Sequence, residues 1–290
     1  MRSPTQAVWM TPDCLGVIGL SELGGSVAWQ AARAGVGRII GHSRARRDSV
    51  AAVRAGAVTE MATSVKRVAQ TADFLVLATT VSETVRLLRS LASTITTRSV
   101  YCTDLSGVKG PVVKTAHELG LRNCFAGSDV LLEPGSGGFS AARPDGLTDR
   151  VVYVSPVAGG EHAASEVADF WQRVLEAQAV MVDAEWHDRI LGWTSHFPRA
   201  LAAALARTLA SHGPKGVTYG SAAVAILDTA PCDAAAWAEI FLHNRQQLVQ
   251  AVADFGLELR SLESALLRGD RQAVQRWIEE GSDWSKRVGE

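Results

Sequence analysis

The sequence predicts an α/β chain in two parts: a doubly wound parallel sheet, then a region built of helices alone. Three observations lead there. Short apolar runs alternate with helix-length stretches up to Val182, the pattern of a parallel sheet with helices on both faces. The first apolar run breaks into a glycine-punctuated turn that opens a helix. From Ala184 onward no further strand is expected, and segments such as Leu201–Leu209 and Trp237–Leu248 repeat apolar residues at three- and four-residue spacing. The predicted division is 1–182 and 183–290.

Taken in order, the expected strands are Leu15–Gly19, Arg38–His42, Phe74–Ala78, Val100–Asp104, Asn123–Ala126 and Val151–Val154, with Ala179–Val182 as an edge strand. Each is a short, mostly apolar run bounded by turn residues. Helices are expected between them at Gly25–Ala34, Arg46–Ala55, Val81–Leu91, Val108–Leu119 and Glu161–Leu175. Glycine and proline gather in Glu133–Gly146, which reads as a mobile loop over the carboxyl edge of the sheet. The helical part divides into Ala184–Ser211, Cys232–Phe255 and Ser261–Glu280. Pro198 falls inside the first of these, where it must kink the helix or mark a join. Helices this apolar pack on more protein, which points to a homodimer through the helical part.

Bulk composition removes several classes of function. The chain has 290 residues, 47% of them hydrophobic and 20% charged, which is a globular rather than a disordered composition. A formal net charge of −1 argues against a nucleic-acid or membrane-surface role. No apolar run reaches the ~18 residues of a membrane span, and Met1–Asp13 reads as a frayed leader rather than a signal peptide. Cys14, Cys102, Cys124 and Cys232 are scattered without metal-ligand spacing, so a reducing, cytoplasmic setting and no metal are expected.

The chemistry begins at Leu15–Ser26, LGVIGLSELGGS. Strand, glycine turn and helix in that order is the context in which G-x-G-x-x-G binds a dinucleotide. Here the pattern is Gly19-x-Ser21-x-x-Gly24, with Ser21 in the middle position. Gly19 makes the tight turn, Gly24 allows close packing, and the helix start offers N–H groups to a pyrophosphate. Gly19, Leu20, Ser21, Leu23 and Gly24 are the cofactor-binding candidates. An acidic residue usually ends the second strand and holds a ribose 2′-hydroxyl. This chain instead reads Gly41-His42-Ser43-Arg44-Ala45-Arg46-Arg47, with no carboxylate before Asp48. Ser43, Arg44 and Arg47 suit a 2′-phosphate, so NADP is expected over NAD.

The order of motifs resembles the prephenate/arogenate dehydrogenase family, from about Leu15 to Glu280. The most specific stretch is Glu185–Leu201, EWHDRILGWTSHFPRAL, similar to the family's HD…SHLPH helix. Thr103–Lys109, TDLSGVK, is similar to its D-x-G-S-V-K turn, and Trp237-Ala-Glu-Ile240 with Asn244 to its W-x-D-I…N helix. The resemblance implies a nucleotide-binding Rossmann domain joined to an all-helical dimerisation domain. It further implies oxidation of a cyclohexadienol with loss of carbon dioxide. Thr79 and Thr80 fall where the family has a turn beside the cofactor, and Asp104 lies in the matched D-x-G-S-V-K turn; all three join the cofactor-binding candidates.

The departures from the family gather around one pocket. Asp129 takes the place of the catalytic histidine in G-x-H-P-M, and Val130 that of the proline. Arg199 replaces the second histidine of SHLPH, and Gly107 the serine of D-x-G-S-V-K, with Ser106 one place earlier. The family's substrate-gripping arginine has no counterpart in Ser221–Asp233. Catalytic candidates are therefore His196, Asp129 and Ser106; substrate-binding candidates are Arg199 and Gly107. An aspartate is a weak base unless desolvated, but it pairs directly with an amine. Asp129 stands open between those roles and an ordinary loop residue, His196 between the cleft and packing, and Arg199 between a carboxylate grip and a surface charge. His187 and Asp188 are expected to serve packing and capping, and the tryptophans Trp171, Trp186, Trp193, Trp237 and Trp277 to be core.

The leading expectation is an NADP-dependent oxidoreductase on a prephenate-like, in one form amino-substituted, cyclic carboxylic acid. A reductase of imines or ketones in specialised metabolism and a catalytically silent nucleotide-binding dimer are the alternatives. The expected partners are a small-molecule substrate and a second copy of the chain.

Overall fold

The computed structural model describes residues 11–132, 137–230 and 233–288. The leader expectation for Met1–Asp13 and the loop Glu133–Gly146 lie partly outside these residues, and Cys232 wholly so.

One eight-stranded sheet organises the chain. Its strands are β1 (Leu15–Ile18), β2 (Ile39–His42), β3 (Glu60–Met61), β4 (Phe74–Leu77), β5 (Tyr101–Asp104), β6 (Phe125–Val130), β7 (Val151–Pro156) and β8 (Gln178–Met181), in the spatial order β3-β2-β1-β4-β5-β6-β7-β8. The first six run parallel. Every residue of β1 and β4 is buried, as strands covered by helices on both faces must be. Chain reversal of the strand order between β1 and β4 opens a crevice at their carboxyl ends, where open α/β sheets bind ligands.

The sheet departs from the expected all-parallel form at one pair: β6 meets β7 antiparallel, with Asp129 opposite Tyr153. A parallel return needs a crossover of a dozen or more residues, usually a helix. Between β6 and β7 the described residues contain only a single 3-10 turn, Gly138–Ala141. β6 is also longer than expected, so Asp129 sits inside a strand rather than on a loop. The two-residue β3 left no periodicity to read.

Six helices cover the sheet: α1 (Glu22–Arg33), α2 (Arg46–Arg54), α3 (Val65–Thr71), α4 (Val81–Arg98), α5 (Gly110–Glu118) and α6 (Glu161–Arg173). They close two apolar layers. One joins Leu15, Val17, Ala126 and Val130 to Val27, Phe170 and Trp171; the other joins Ile18, Leu75 and Phe125 to Leu87, Leu88 and Val112. The described part of the glycine-rich loop is anchored, contrary to expectation. Phe139 stacks on Trp29 at 5.7 Å, its N–H donates to Asp48 Oδ1 at 3.3 Å, and the Arg143 N–H donates to Ser26 Oγ at 2.9 Å.

The rest is helical: α7 (Ala184–Leu191), α8 (Phe197–His212), α9 (Ser221–Leu227), α10 (Ala234–His243), α11 (Arg245–Leu267) and α12 (Arg271–Val288). Pro198 marks a join, as expected. The five residues Gly192–His196 between α7 and α8 form a π-helical turn, the widened geometry that single-turn bulges adopt. α10 docks the helical part on the sheet domain: Trp237 and Ile240 complete the second apolar layer, and Glu239 accepts the Ser82 N–H at 3.1 Å.

Candidate active site

At the end of β1 the backbone itself imposes glycine. Gly19 has φ +96°, and a Cβ there would lie 2.0 Å from the Ala78 carbonyl oxygen. A Cβ on Gly24 would lie 1.9 Å from the Gly19 carbonyl oxygen. α1 begins at Glu22, earlier than periodicity suggests, so Gly24 lies in its first turn and Ser21 is its N-cap. The Ser21 side chain is exposed and caps no N–H of the described residues. The helix start therefore keeps its N–H donors for a ligand, and the turn fits a pyrophosphate. Leu20 is fully buried, packed into the core against Gly41. Leu23 is partly buried against that core.

At the end of β2 the Ser43 N–H donates to Ser49 Oγ at 3.0 Å. Arg44 and Arg47 are exposed. The nearest carboxylate in sequence, Asp48, accepts the Phe139 N–H instead of facing the crevice. After β4, Thr79 shares a 2.8 Å hydrogen bond with Thr84, while Thr80 is exposed at the start of α4.

The β5 turn holds a buried polar network. Lys109, 0% exposed, donates from Nζ to Asp104 Oδ2 at 2.6 Å and to the Ser128 carbonyl at 2.6 Å. Ser106 Oγ also donates to Asp104 Oδ2, and the Ser128 N–H donates to Asp104 Oδ1 at 3.3 Å. A buried lysine is tolerable because it is paired and hydrogen-bonded. Asp104, itself 0% exposed, is thus spent on Lys109 and Ser106. It shapes the turn from beneath rather than presenting its carboxylate to a cofactor. Gly107 is partly open; a Cβ there would meet Ile240 Cδ1 at 3.4 Å, so the turn has room for the serine that the resemblance leads one to expect.

Asp129 is engaged by the helical part. His187 Nε2 lies 3.1 Å from Asp129 Oδ2, and His187 Nδ1 lies 2.8 Å from Asp188 Oδ1. Both ring nitrogens face carboxylate oxygens, so the protonated ring donates twice. Burial pulls this imidazole down, but the hydrogen bonds to Asp129 and Asp188 outweigh it and hold the ring above its ordinary value. Asp188 also accepts the Lys109 and Gly110 N–H groups at 2.7 and 2.8 Å, capping the start of α5. Capping was the role expected of Asp188; the two-carboxylate clamp of His187 was not expected.

His196 is 2% exposed and faces inward from the π turn. Its Nδ1 accepts a 3.0 Å hydrogen bond from Asn244 Nδ2, and Asn244 Nδ2 also donates to the Asp188 carbonyl at 2.6 Å. Burial pushes the His196 imidazole down to about 4, so it works as a neutral ring. Arg199 is buried rather than a surface charge: its guanidinium lies 4.8 Å over the Trp237 ring and donates to the Thr229 carbonyl. Trp237 Nε1 is buried and has no hydrogen-bond partner among the described residues.

The fold thus gathers Asp129, His187, Asp188, His196, Asn244 and the Ser106–Lys109 turn into one continuous cluster. Ser43, Arg44 and Arg47 lie at a separate sheet edge. Lys109, His187, Asn244 and Trp237 were present in the matched motifs but carried no site role at the level of sequence. The tryptophan expectation holds at Trp171 and Trp237, whereas Trp186 and Trp277 are only half-buried and Trp193 is 41% exposed. Trp171 is core, with its N–H donated to Ser128 Oγ at 2.9 Å.

Comparison with known proteins agrees with this geometry. Residues 28–181 match the model for the prephenate dehydrogenase nucleotide-binding domain, and residues 183–280 that for the prephenate dehydrogenase dimerization domain. The first match begins beyond the Gly19–Gly24 turn, which stands on its own geometry. The chain is 26% identical to prephenate dehydrogenase of Lactococcus lactis over 281 residues, covering 91% of this chain and 74% of that one. With prephenate dehydrogenase of Bacillus subtilis it is 25% identical over 281 residues, covering 94% and 75%. Among solved structures, prephenate dehydrogenase of A. aeolicus in complex with hydroxyphenyl propionate and NAD+ superimposes with a TM-score of 0.84 at 23% identity, over 98% of this chain and all of that one. Synechocystis arogenate dehydrogenase gives 0.76 at 20% identity, covering 95% and 99%. With both family models matched across most of its length, the chain belongs to the prephenate dehydrogenase family and is an oxidoreductase of that type.

Proposed function

We propose that the chain is an NADP-dependent dehydrogenase acting on a prephenate-like cyclic carboxylic acid whose ring carries an amine where prephenate carries a hydroxyl. The observation that carries this reading is Asp129, a carboxylate in the histidine position, gripped by His187. Hydride loss from an alcohol leaves a strongly acidic protonated ketone, so a base must accept the hydroxyl proton as the hydride departs. Hydride loss from a neutral amine leaves an iminium, a stable cation that needs a nearby anion more than a base. Asp129 supplies that anion and accepts the hydrogen bond of the N–H. The ring carboxylate then leaves as carbon dioxide, its bonding pair restores aromaticity, and the iminium becomes an aryl amine.

A bound pyridine nucleotide supplies the hydride acceptor. The residues that would hold it are the turn Gly19, Leu20, Ser21, Leu23 and Gly24 for the pyrophosphate, and Thr79 and Thr80 beside it. Ser43, Arg44 and Arg47 would hold a 2′-phosphate, supported by the engagement of Asp48 elsewhere. Neutral His196, held by Asn244 and by the Gly107 backbone, lines the substrate side and steadies the Ser106–Gly107 turn, and Arg199 with the Trp237 N–H forms the carboxylate grip. Ser106 and Gly107 form the floor through the turn that Asp104 and Lys109 stiffen. The domains divide at 182/183. Leu257, Leu266 and Leu267 on α11, 58–83% exposed, support a homodimer through the helical part. Cys14, Cys102 and Cys124 are buried free thiols, consistent with a reducing, cytoplasmic setting.

The test is a fluorescence titration with NADPH and NADH, followed by assay with prephenate, arogenate and amino-substituted prephenate. The expected result is tighter NADPH binding and turnover of the amine. Preferred NADH binding would remove the NADP assignment. Reduction of an imine or ketone without decarboxylation would favour the reductase, and binding without turnover in either direction a silent dimer.

A further inference from the structure

His187 is fully buried, yet its ring is met by charge on three sides. β6 brings Asp129 to Nε2, α7 itself brings Asp188 to Nδ1, and the α5 start brings Lys109, which opposes the ring's charge. β7 brings Tyr153, whose ring meets the imidazole edge-on with centroids 5.9 Å apart. Asp188 cannot follow the ring, because two backbone N–H groups at α5 hold its carboxylate. The imidazole is thus fixed at one end, and its other nitrogen fixes Asp129. Asp129 Oδ1 accepts no hydrogen bond among the described residues, and the side chain keeps 10% of its surface.

We infer that His187 is a positioning residue for this reaction: an imidazolium from the helical part that locks Asp129 in one orientation by its Oδ2 and leaves Oδ1 for the substrate amine. The inference rests on the amine-oxidising reading for its substrate, but the clamp itself is independent of any substrate. A neutral His187 retains one N–H, so one of the two carboxylates loses its donor. Activity therefore declines on the alkaline side as the ring deprotonates, above the ordinary histidine value.

The test has two arms. With the NADPH-bound enzyme, 15N spectra of the histidine rings should show His187 protonated on both nitrogens at pH 7. In Asp129→Asn its titration should move downward by about one unit, as expected on losing a charged partner. A singly protonated ring at pH 7, or a titration unmoved by D129N, overturns the clamp. In the second arm, kcat for amino-substituted prephenate should fall about 10²-fold in His187→Gln, the usual scale for a misplaced reacting group. KM for NADP should be unchanged, and the alkaline limb of the wild-type profile should vanish. An H187Q enzyme that binds NADPH normally and keeps both its rate and that limb overturns the positioning role. If H187Q does not fold, the wild-type and D129N spectra still decide. Should the spectra show the clamp while wild type ignores the amine, the substrate reading fails and the clamp stands.

Discussion

The crevice at the ends of β1, β2 and β4 and the pocket between β6 and α7–α10 sit side by side, but they are constrained differently. In the crevice, backbone sterics dictate the residue: any side chain at Gly19 or Gly24 would collide with a carbonyl oxygen. In the pocket, the constraint is charge and hydrogen bonding. There Asp129, Val130, Gly107 and Arg199 replace the residues that the family resemblance leads one to expect. A steric requirement admits almost no substitution, whereas an electrostatic one admits any set that balances, as Asp129, His187 and Asp188 do. A nucleotide turn can therefore persist while the chemistry beside it changes.

That contrast can be broken in four places, taken from the largest effect to the smallest. Gly24→Val should abolish NADPH binding and destabilise the fold by about 3 kcal/mol or more through overpacking, read by fluorescence titration and thermal melting. A G24V protein that binds NADPH normally would remove the steric half of the comparison. His196 comes next. Its folded value of about 4 lies below the ordinary 6.5, so the unfolded chain binds more protons between those values. Its neutral burial favours the fold above pH 6.5 and costs about 3 kcal/mol as pH falls toward 4. Denaturant melts at pH 7.5 and 4.5 should show that His196→Asn reduces this acid sensitivity; an identical slope would place the ring in a solvated site.

Asp129→Asn should lower turnover on the order of 10²-fold while leaving the NADPH dissociation constant within about twofold. An unchanged rate would take Asp129 out of the pocket's chemistry. The smallest effect belongs to the sheet edge: Arg44→Ala with Arg47→Ala should weaken NADPH about tenfold, the scale of one charge-assisted hydrogen bond, and leave NADH untouched. Equal loss of both cofactors would show that the arginines do not read the 2′-phosphate.

Much of the fold was legible because its causes are local. β1 and β4 are short apolar runs at their expected places, β5 lies within its expected bounds, and the π turn before Pro198 lies where proline forbids a regular helix. What escaped was non-local or too short. β3 has two residues. The direction of β7 depends on a connection that lacks a crossover helix. Asp129 and His187 are 58 residues apart in sequence and meet only when α7 packs against β7 and α5. Asp129 was marked by its place in the matched motif, but nothing in the sequence named its partner, and His187 looked like a packing histidine on an amphipathic helix. The buried Trp237 N–H was likewise invisible, since periodicity marks a tryptophan as apolar and says nothing of where its nitrogen points.

By itself the sequence determined the alternation of strands and helices, the glycine turn between the first strand and the first helix, and the family of the chain. Those properties arise from interactions within a few residues or from apolar period, which the order of amino acids states directly. Tertiary structure alone decided which charges face one another: that Lys109 neutralises Asp104, that Asp48 turns to Phe139, and that His187 stands between two carboxylates. Electrostatic partnership depends on distance and burial, and neither exists until the helical part has closed on the sheet.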